Sequence, residues 1–183
     1  SDLPPGCEIL DWAYFPTNKF EKCGEFISRG LPTAVCPSVR GFGRVFNAVE
    51  EARVVLAKYA RTGKELGARG LMNTDWGDYG HFNVPPAALH GLALGAQLAW
   101  NPANDADADF DRAFSKVIFG ADDARPAELF ALAGSAPDAV AAWPFAPLKN
   151  VPPPADPSPL REIAAQAPAW ADEFSRLRAT EWA

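Results

Sequence analysis

Five chemically capable side chains fall within the stretch NTDWGDYGH, residues 73 to 81: Asp75, Trp76, Asp78, Tyr79 and His81. Carboxylates interleaved with aromatic rings just after an apolar run suit the recognition of a sugar. Such a ring offers an apolar C–H face that stacks on indole or phenol, and hydroxyls that donate to carboxylates. Trp76 and Asp78 are two residues apart, so on extended backbone they project to the same side, with Gly77 placing no side chain opposite. Structural readings stand beside this one. Trp76 would serve as a packed ring at a rim, Asp78 as the cap of a following helix, and His81 as a hydrogen-bonding support beneath the loop. His90 lies inside an apolar helical pattern and reads as structural.

The same pairing of types recurs after two earlier apolar runs. GCEILDWAYF (6 to 15) ends in Trp12, Tyr14 and Phe15, and LPTAVCPS (31 to 38) leads to Ser38, Arg40 and Phe42. The candidate substrate-binding set is therefore Trp12, Tyr14, Arg40, Phe42, Trp76, Asp78, Tyr79 and His81. Other chemistries fail on residue type. RGFGR (40 to 44) has two glycines but neither a GxGxxG nor a GKS pattern, and reads as a turn before a helix. No Ser or Cys sits in a nucleophile-elbow context. Asp75, Asp78 and His81 are the nearest approach to a metal triad, and no cluster has true metal-ligand spacing. No metal and no cofactor are expected.

The elements that must position these residues alternate. The strand candidate at 6 to 15 is followed by a helix over Lys19 to Arg29, with Phe20, Cys23, Phe26 and Ile27 at helical spacing and Gly30 as its stop. The strand at 31 to 38 ends at Pro37, and a long helix runs from Phe46 to Leu66 with Gly67 after it. GARGLMNTD (67 to 75) is a third strand, and Ala87 to Trp100 a third helix. Three strands alternating with three helices imply parallel βαβ units and an α/β fold. All three polar-aromatic clusters then fall at strand C-termini, where (β/α)8 barrels carry their functional residues. A parallel sheet must be covered on both faces or closed. The chain thus reads as three βα units of a TIM-type barrel (1–102). The missing N-terminal half of the barrel would come from the same polypeptide or from a separate chain. Beyond Asn101 the composition shifts to an α-helical C-terminal extension (103–183): a helix ending near Phe119, a short helix in ARPAELFALAG, and a Pro-rich connector. A last helix spans Leu160 to Trp182, with Pro168 expected to interrupt or restart it.

Composition narrows the partners. A net charge of −6 and a pI near 4.9 leave no basic stripe to neutralise phosphates, so no nucleic-acid partner is expected. No run approaches the roughly 20 apolar residues of a membrane span, so no membrane partner is expected either. Cys7, Cys23 and Cys36 show no close-spaced pair and read as three small buried hydrophobes. Unpaired cysteines and an opening unlike a leader place cytoplasm slightly ahead of periplasm.

With these residues in view, DWAYFP, LPTAVCPS, FNAVEEAR and above all GARGLMNTDWGDYGHFNVPPAALHGLALGAQLAWNP resemble glycoside hydrolase family 20, the β-N-acetylhexosaminidase group. The resemblance covers about residues 3 to 102, the last three βα units of that family's catalytic barrel, and is most specific at TDWGDYGH. It implies that Trp76 helps wall the pocket for the N-acetyl sugar, that Asp78 binds sugar hydroxyls, and that Trp12 matches an aromatic of the sixth strand. It also implies a catalytic Asp-Glu pair on the fourth strand, whose Glu is the general acid and whose Asp orients the substrate's acetamide. No such pair lies in this chain, because Asp172-Glu173 falls in the terminal helix; no catalytic residue is assigned here. Three departures alter the acetamide side of the pocket. Phe15 stands where related bacterial sequences carry an acid, Phe42 stands in a shortened segment where they carry a Trp, and the Tyr-x-Asp that holds the acetamide is absent after TAVCPS. A non-catalytic carbohydrate-binding or scaffold protein on a degenerate barrel is the alternative, and a barrel hydrolase of other sugar specificity a third.

Overall fold

Three short parallel strands carry the architecture: β1 (Ile9–Trp12), β2 (Thr33–Cys36) and β3 (Gly70–Leu71), in the order β1-β2-β3. The computed structural model describes residues 3–78, 83–104, 108–135 and 156–179. Ile9 stands opposite Thr33 and Trp12 opposite Cys36, while Ala34 and Val35 face Gly70 and Leu71. Helix α1 (Glu21–Ser28) follows β1 and α2 (Val49–Leu66) follows β2. After β3, a 3-10 turn at Pro85–Ala88 leads into α3 (Leu89–Trp100). The alternating βα order expected from the sequence is the order observed. The third strand is shorter than 67 to 75, and Pro37 supplies the reason. It has no N–H to donate, and its carbonyl accepts instead from Thr74 N (3.0 Å) and Thr74 Oγ1 (2.8 Å). Pairing resumes only as an isolated parallel bridge between Ser38 and Thr74.

Alternation along the strands sorts the two faces of the sheet. Val35 is fully buried with Cys23, Val55 and Tyr59, so its row faces α1 and α2. On the opposite face Leu10, Trp12 and Met72 are 45%, 66% and 47% exposed. One face is roofed by helices and the other stands open among the described residues. Cys23 and Cys36 are buried as expected, whereas Cys7 is exposed, because it lies in the loop ahead of β1 rather than in an element.

The extension packs onto these units through α4 (Ala108–Phe119) and α5 (Arg125–Ala133). Phe110, Phe114 and Ala127 share one core with Ala52, Leu56 and Ala60 of α2 and Leu94 and Leu98 of α3. Helix α6 (Ser158–Ala179) runs through Pro168 without breaking, contrary to the expected interruption. A proline removes one intrahelical hydrogen bond. Residues 164–169 are exposed, so water can take the freed carbonyl, and alanines flank the site. Among the described residues no helix is long and apolar enough to cross a membrane.

A cluster of Arg53, His90 and Asp111 pins α4 to the units beneath. One terminal nitrogen of Arg53 lies 2.5 and 2.7 Å from the two carboxylate oxygens of Asp111, and His90 Nε2 lies 2.8 Å from Asp111 Oδ1. The rings of Phe110 and Phe114 meet His90 edge-on at 5.2 and 4.9 Å. Burial pushes the Asp111 carboxyl up, but hydrogen bonds from His90 and Arg53 and the Arg53 charge outweigh it, so the group titrates below its ordinary 3.8. A carboxyl depressed by folding stabilises the fold fully above its unfolded pKa, and that contribution is lost as pH falls through the folded one. Asp111→Asn is expected to cost about 2 kcal/mol at neutral pH. Its urea midpoint should also fall less steeply than that of the unaltered protein below the ordinary aspartate pKa; equal slopes would show that the cluster does not couple to folding.

Helix α3 lies unusually close to the strand tails. A Cβ on Gly91 would meet Val39 Cβ and Cγ1 at 2.7 Å, and one on Gly95 would meet Asn73 Nδ2 at 2.0 Å. Asn73 in turn donates to Gly91 O at 2.9 Å. Gly91→Ala is therefore expected to destabilise by about 1–3 kcal/mol in urea unfolding. Gly70→Ala should have little effect, since nothing lies within 4 Å of that added carbon.

Candidate functional site

The three strands end on one rim, and the residues that follow them converge there. Trp12, Tyr14, Phe15, Phe42, Trp76 and Asp78 line one concavity of about 430 Å³. Tyr14 is its hub, with ring centroids 5.2 Å from Trp12, 5.7 Å from Phe42 and 6.1 Å from Trp76. Phe15 meets Phe42 edge-on at 6.1 Å. Trp76 is half exposed, and its indole N–H donates to Thr74 Oγ1 at 3.2 Å. The Thr74 hydroxyl is itself held on Pro37 O, so the break in pairing that ends β3 also sets the angle of the indole. Burial pushes the Tyr14 phenol above its usual range, and its side-chain hydrogen bonds to Thr74 and Trp76 oppose that shift. Of the sequence-derived set, Trp12, Tyr14, Phe42, Trp76 and Asp78 come together. Tyr79 and His81 lie outside the described residues.

Arg40 occupies a different place: it is buried behind the rings rather than on the wall. Its guanidinium carbon sits 4.9 Å from the Phe15 centroid and 4.6 Å from that of Phe42, and its Nε donates to Glu51 Oε2 at 2.8 Å. The residue adopts a left-handed backbone (φ 59°), which costs a non-glycine about 1–2 kcal/mol. That conformation is held by Arg40 N on Ser38 Oγ (3.1 Å) and by Ala48 N on Arg40 O (3.1 Å). Beneath the same loop, Asn47 Nδ2 donates to Val39 O at 3.0 Å and to Asp75 Oδ1 at 3.3 Å. A Cβ on Gly41 would come within 2.5 Å of Asp75 Oδ1, so only glycine lets the Asp75 carboxylate reach that spot. Asp75 thus anchors the loop from below, while Asp78 faces the concavity.

Reasoning from sequence missed three supports. Phe15 was placed in the strand-end cluster but left out of the substrate-binding set, yet it is a wall ring. Glu51 and Thr74 hold Arg40 and Trp76, and only Glu51, in the first turn of the helix after Arg40, left a local signal. Burial pushes the Cys36 thiol, behind Trp12, up to about 11, so it stays protonated at neutral pH and is no nucleophile. Among the described residues no three His, Cys, Asp or Glu side chains converge as a metal site. A second concavity of about 270 Å³, lined by Lys64, Arg69, Leu71, Leu98 and Trp100 among others, lies at the opposite end of β3. It lacks the pairing of rings with a carboxylate.

The Arg40 arrangement makes a prediction. Arg40→Met keeps the stem but removes the charge between two rings and leaves Glu51 without it. Glu51 is half exposed, so most of the cost comes from the ring contacts. The variant is expected to lose about 1–3 kcal/mol in urea unfolding and to weaken the near-ultraviolet dichroism of the aromatic cluster. Arg40→Lys should recover only part of both, because an ammonium cannot present a flat face to two rings.

Compared with protein-family models and with curated proteins, the chain matches none.

Proposed function

We propose that this chain forms the last three βα units of a (β/α)8 barrel resembling glycoside hydrolase family 20. In that barrel it contributes the substrate subsites of an enzyme acting on a terminal β-linked N-acetylhexosamine or a related sugar. The observation that carries the reading is the concavity of five rings and one carboxylate at the C-terminal ends of three parallel strands. Trp76 offers an indole face for the sugar's C–H face, Trp12 walls the same hollow, and Asp78 accepts from its hydroxyls. The open sheet face bearing Leu10, Trp12 and Met72 supports the barrel. Apolar residues on a parallel strand normally lie under a second layer or in a closed interior. The remaining half of the barrel, from the same polypeptide or a separate chain, would cover them.

Glycoside cleavage needs a proton donor at the leaving oxygen as well as groups that hold the sugar. Among the described residues the concavity has a single carboxylate, so the acid belongs to the strands this chain does not supply. The resemblance points to an adjacent Asp-Glu. The same single carboxylate also supports the second reading, a carbohydrate-binding protein on a degenerate barrel. Turnover by the completed barrel separates the two.

With the barrel complete, Asp78→Asn is expected to lower kcat/KM on an aryl N-acetylglucosaminide by roughly ten- to a hundredfold, and Trp76→Ala by at least as much. Thermal melts of both variants should stay close to that of the unaltered protein. If Asp78→Asn leaves kcat/KM unchanged while the melt drops by several degrees, Asp78 is a helix cap and the subsite reading fails.

A further inference from the structure

We infer that the hollow at the opposite end of β3 is a second binding site, one that takes a small organic anion with a flat body. It stands apart from the sugar-subsite reading and does not depend on it. The hollow holds about 270 Å³ and lies where α2 and α3 end, so both of its helical walls belong to this chain. Its floor is apolar, made by Val35, Leu71 and Leu98. Its charged residues are Lys64 and Arg69, and among the described residues no carboxylate lines it. Neither cation's side chain has a partner among those residues. In a chain of net charge −6, two unneutralised cations over one apolar floor reverse the sign locally.

Helix ends account for part of that charge. A helix C-terminus carries about half a negative charge, and Lys64 lies in the last turn of α2. Two such ends amount to roughly one negative charge, which two cations exceed. The α2 carbonyls are also already met: Gly63 O accepts from Ala68 N at 2.8 Å, and Lys64 O from Gly67 N at 3.1 Å. A positive surplus is left for a ligand. Trp100 supplies the second feature. Its indole lines the same hollow, is 92% exposed, and makes no ring or cation contact among the described residues. An indole left in water beside an apolar floor offers a stacking face. A planar acid meets all three features, with its anion at Lys64 and Arg69, its face on Trp100 and its edge toward Leu71 and Leu98. Bare phosphate meets only the first. The volume is below that of a pocket for a drug-sized molecule and suits about one or two rings.

The experiment titrates the protein calorimetrically, at low ionic strength, with indole-3-acetate, its neutral counterpart indole-3-acetamide, and inorganic phosphate. Indole-3-acetate is expected to bind with a Kd of about 1 mM, the level a ligand of its size reaches at ordinary affinity per atom. The acetamide and phosphate should each bind at least about fivefold more weakly, and added salt should weaken the binding of the acid. Lys64→Gln combined with Arg69→Gln, and separately Trp100→Ala, should each lower the affinity by a similar factor. All three side chains are exposed, so the melts should hold. Trp76→Ala should leave the affinity unchanged, which separates this hollow from the rim. No saturable binding of indole-3-acetate by about 10 mM overturns the inference. So does equal binding of the acetamide or of phosphate, indifference to salt, or affinity that survives the paired substitution or Trp100→Ala. The ligand and salt comparisons use the unaltered protein, so they decide the matter even if a variant fails to fold.

Discussion

The whole arrangement hangs on α2 lying across one face of a three-stranded parallel ladder. Val55 and Tyr59 of α2 press on Val35 at the middle of the sheet, while Ala52, Leu56 and Ala60 hold α3 and α4. Because one helix serves both clusters, the strand ends, the third helix and the extension are fixed relative to each other. Its register is set at both ends. Gly67 closes it in a left-handed cap at φ 84°, and Glu51 in its first turn holds Arg40 under the rim. The same helix that roofs the sheet therefore positions the rings above it.

Much of this was legible in the sequence, for a definite reason. Parallel strands buried on a helix-covered face read as short apolar runs, and helices read by their 3.6-residue period, so the alternation at Ile9–Trp12, Thr33–Cys36 and Val49–Leu66 could be found locally. The convergence of Trp12, Phe42 and Trp76 followed from the parallel topology, since successive βα units bring their C-terminal ends to one rim. What could not be read depends on side chains far apart in sequence or on a single missing proton. The Arg53–Asp111 pair spans 58 positions, and neither residue carries a local mark of its partner. The early end of β3 follows from Pro37, just past the end of the neighbouring strand, not from anything between Gly70 and Asp75. Arg40 was placed among ligand-facing residues because polar types after a strand usually point outward. Its left-handed backbone and the partner on α2 turn it inward instead.

The rim divides its labour between front and back. Charge is held behind the rings: Arg40 is paired with Glu51 and covered by two rings, and Asp75 is tied to Asn47 around Gly41. In front, among the described residues, stand open rings and one carboxylate. This layout stiffens the wall without filling it, since Phe15 and Phe42 are gripped on one face and their neighbours Trp12 and Trp76 are left free on theirs. The rings are thus ordered by folding itself, through the contacts behind them.

The open rings also bear on stability. Leaving Trp12 and Trp76 half or more exposed forgoes hydrophobic stabilisation at about 25 cal/mol per Å² of apolar surface that could have been buried. The fold tolerates this because its core lies elsewhere, on the far side of the sheet, where Leu56, Leu94 and Leu98 are completely buried. The rim and the open sheet face can therefore leave apolar surface uncovered without either being needed to hold the described elements together. A substitution at Trp76 should thus alter the wall of the concavity, whereas one at Leu56 or Asp111 acts on whether there is a concavity at all.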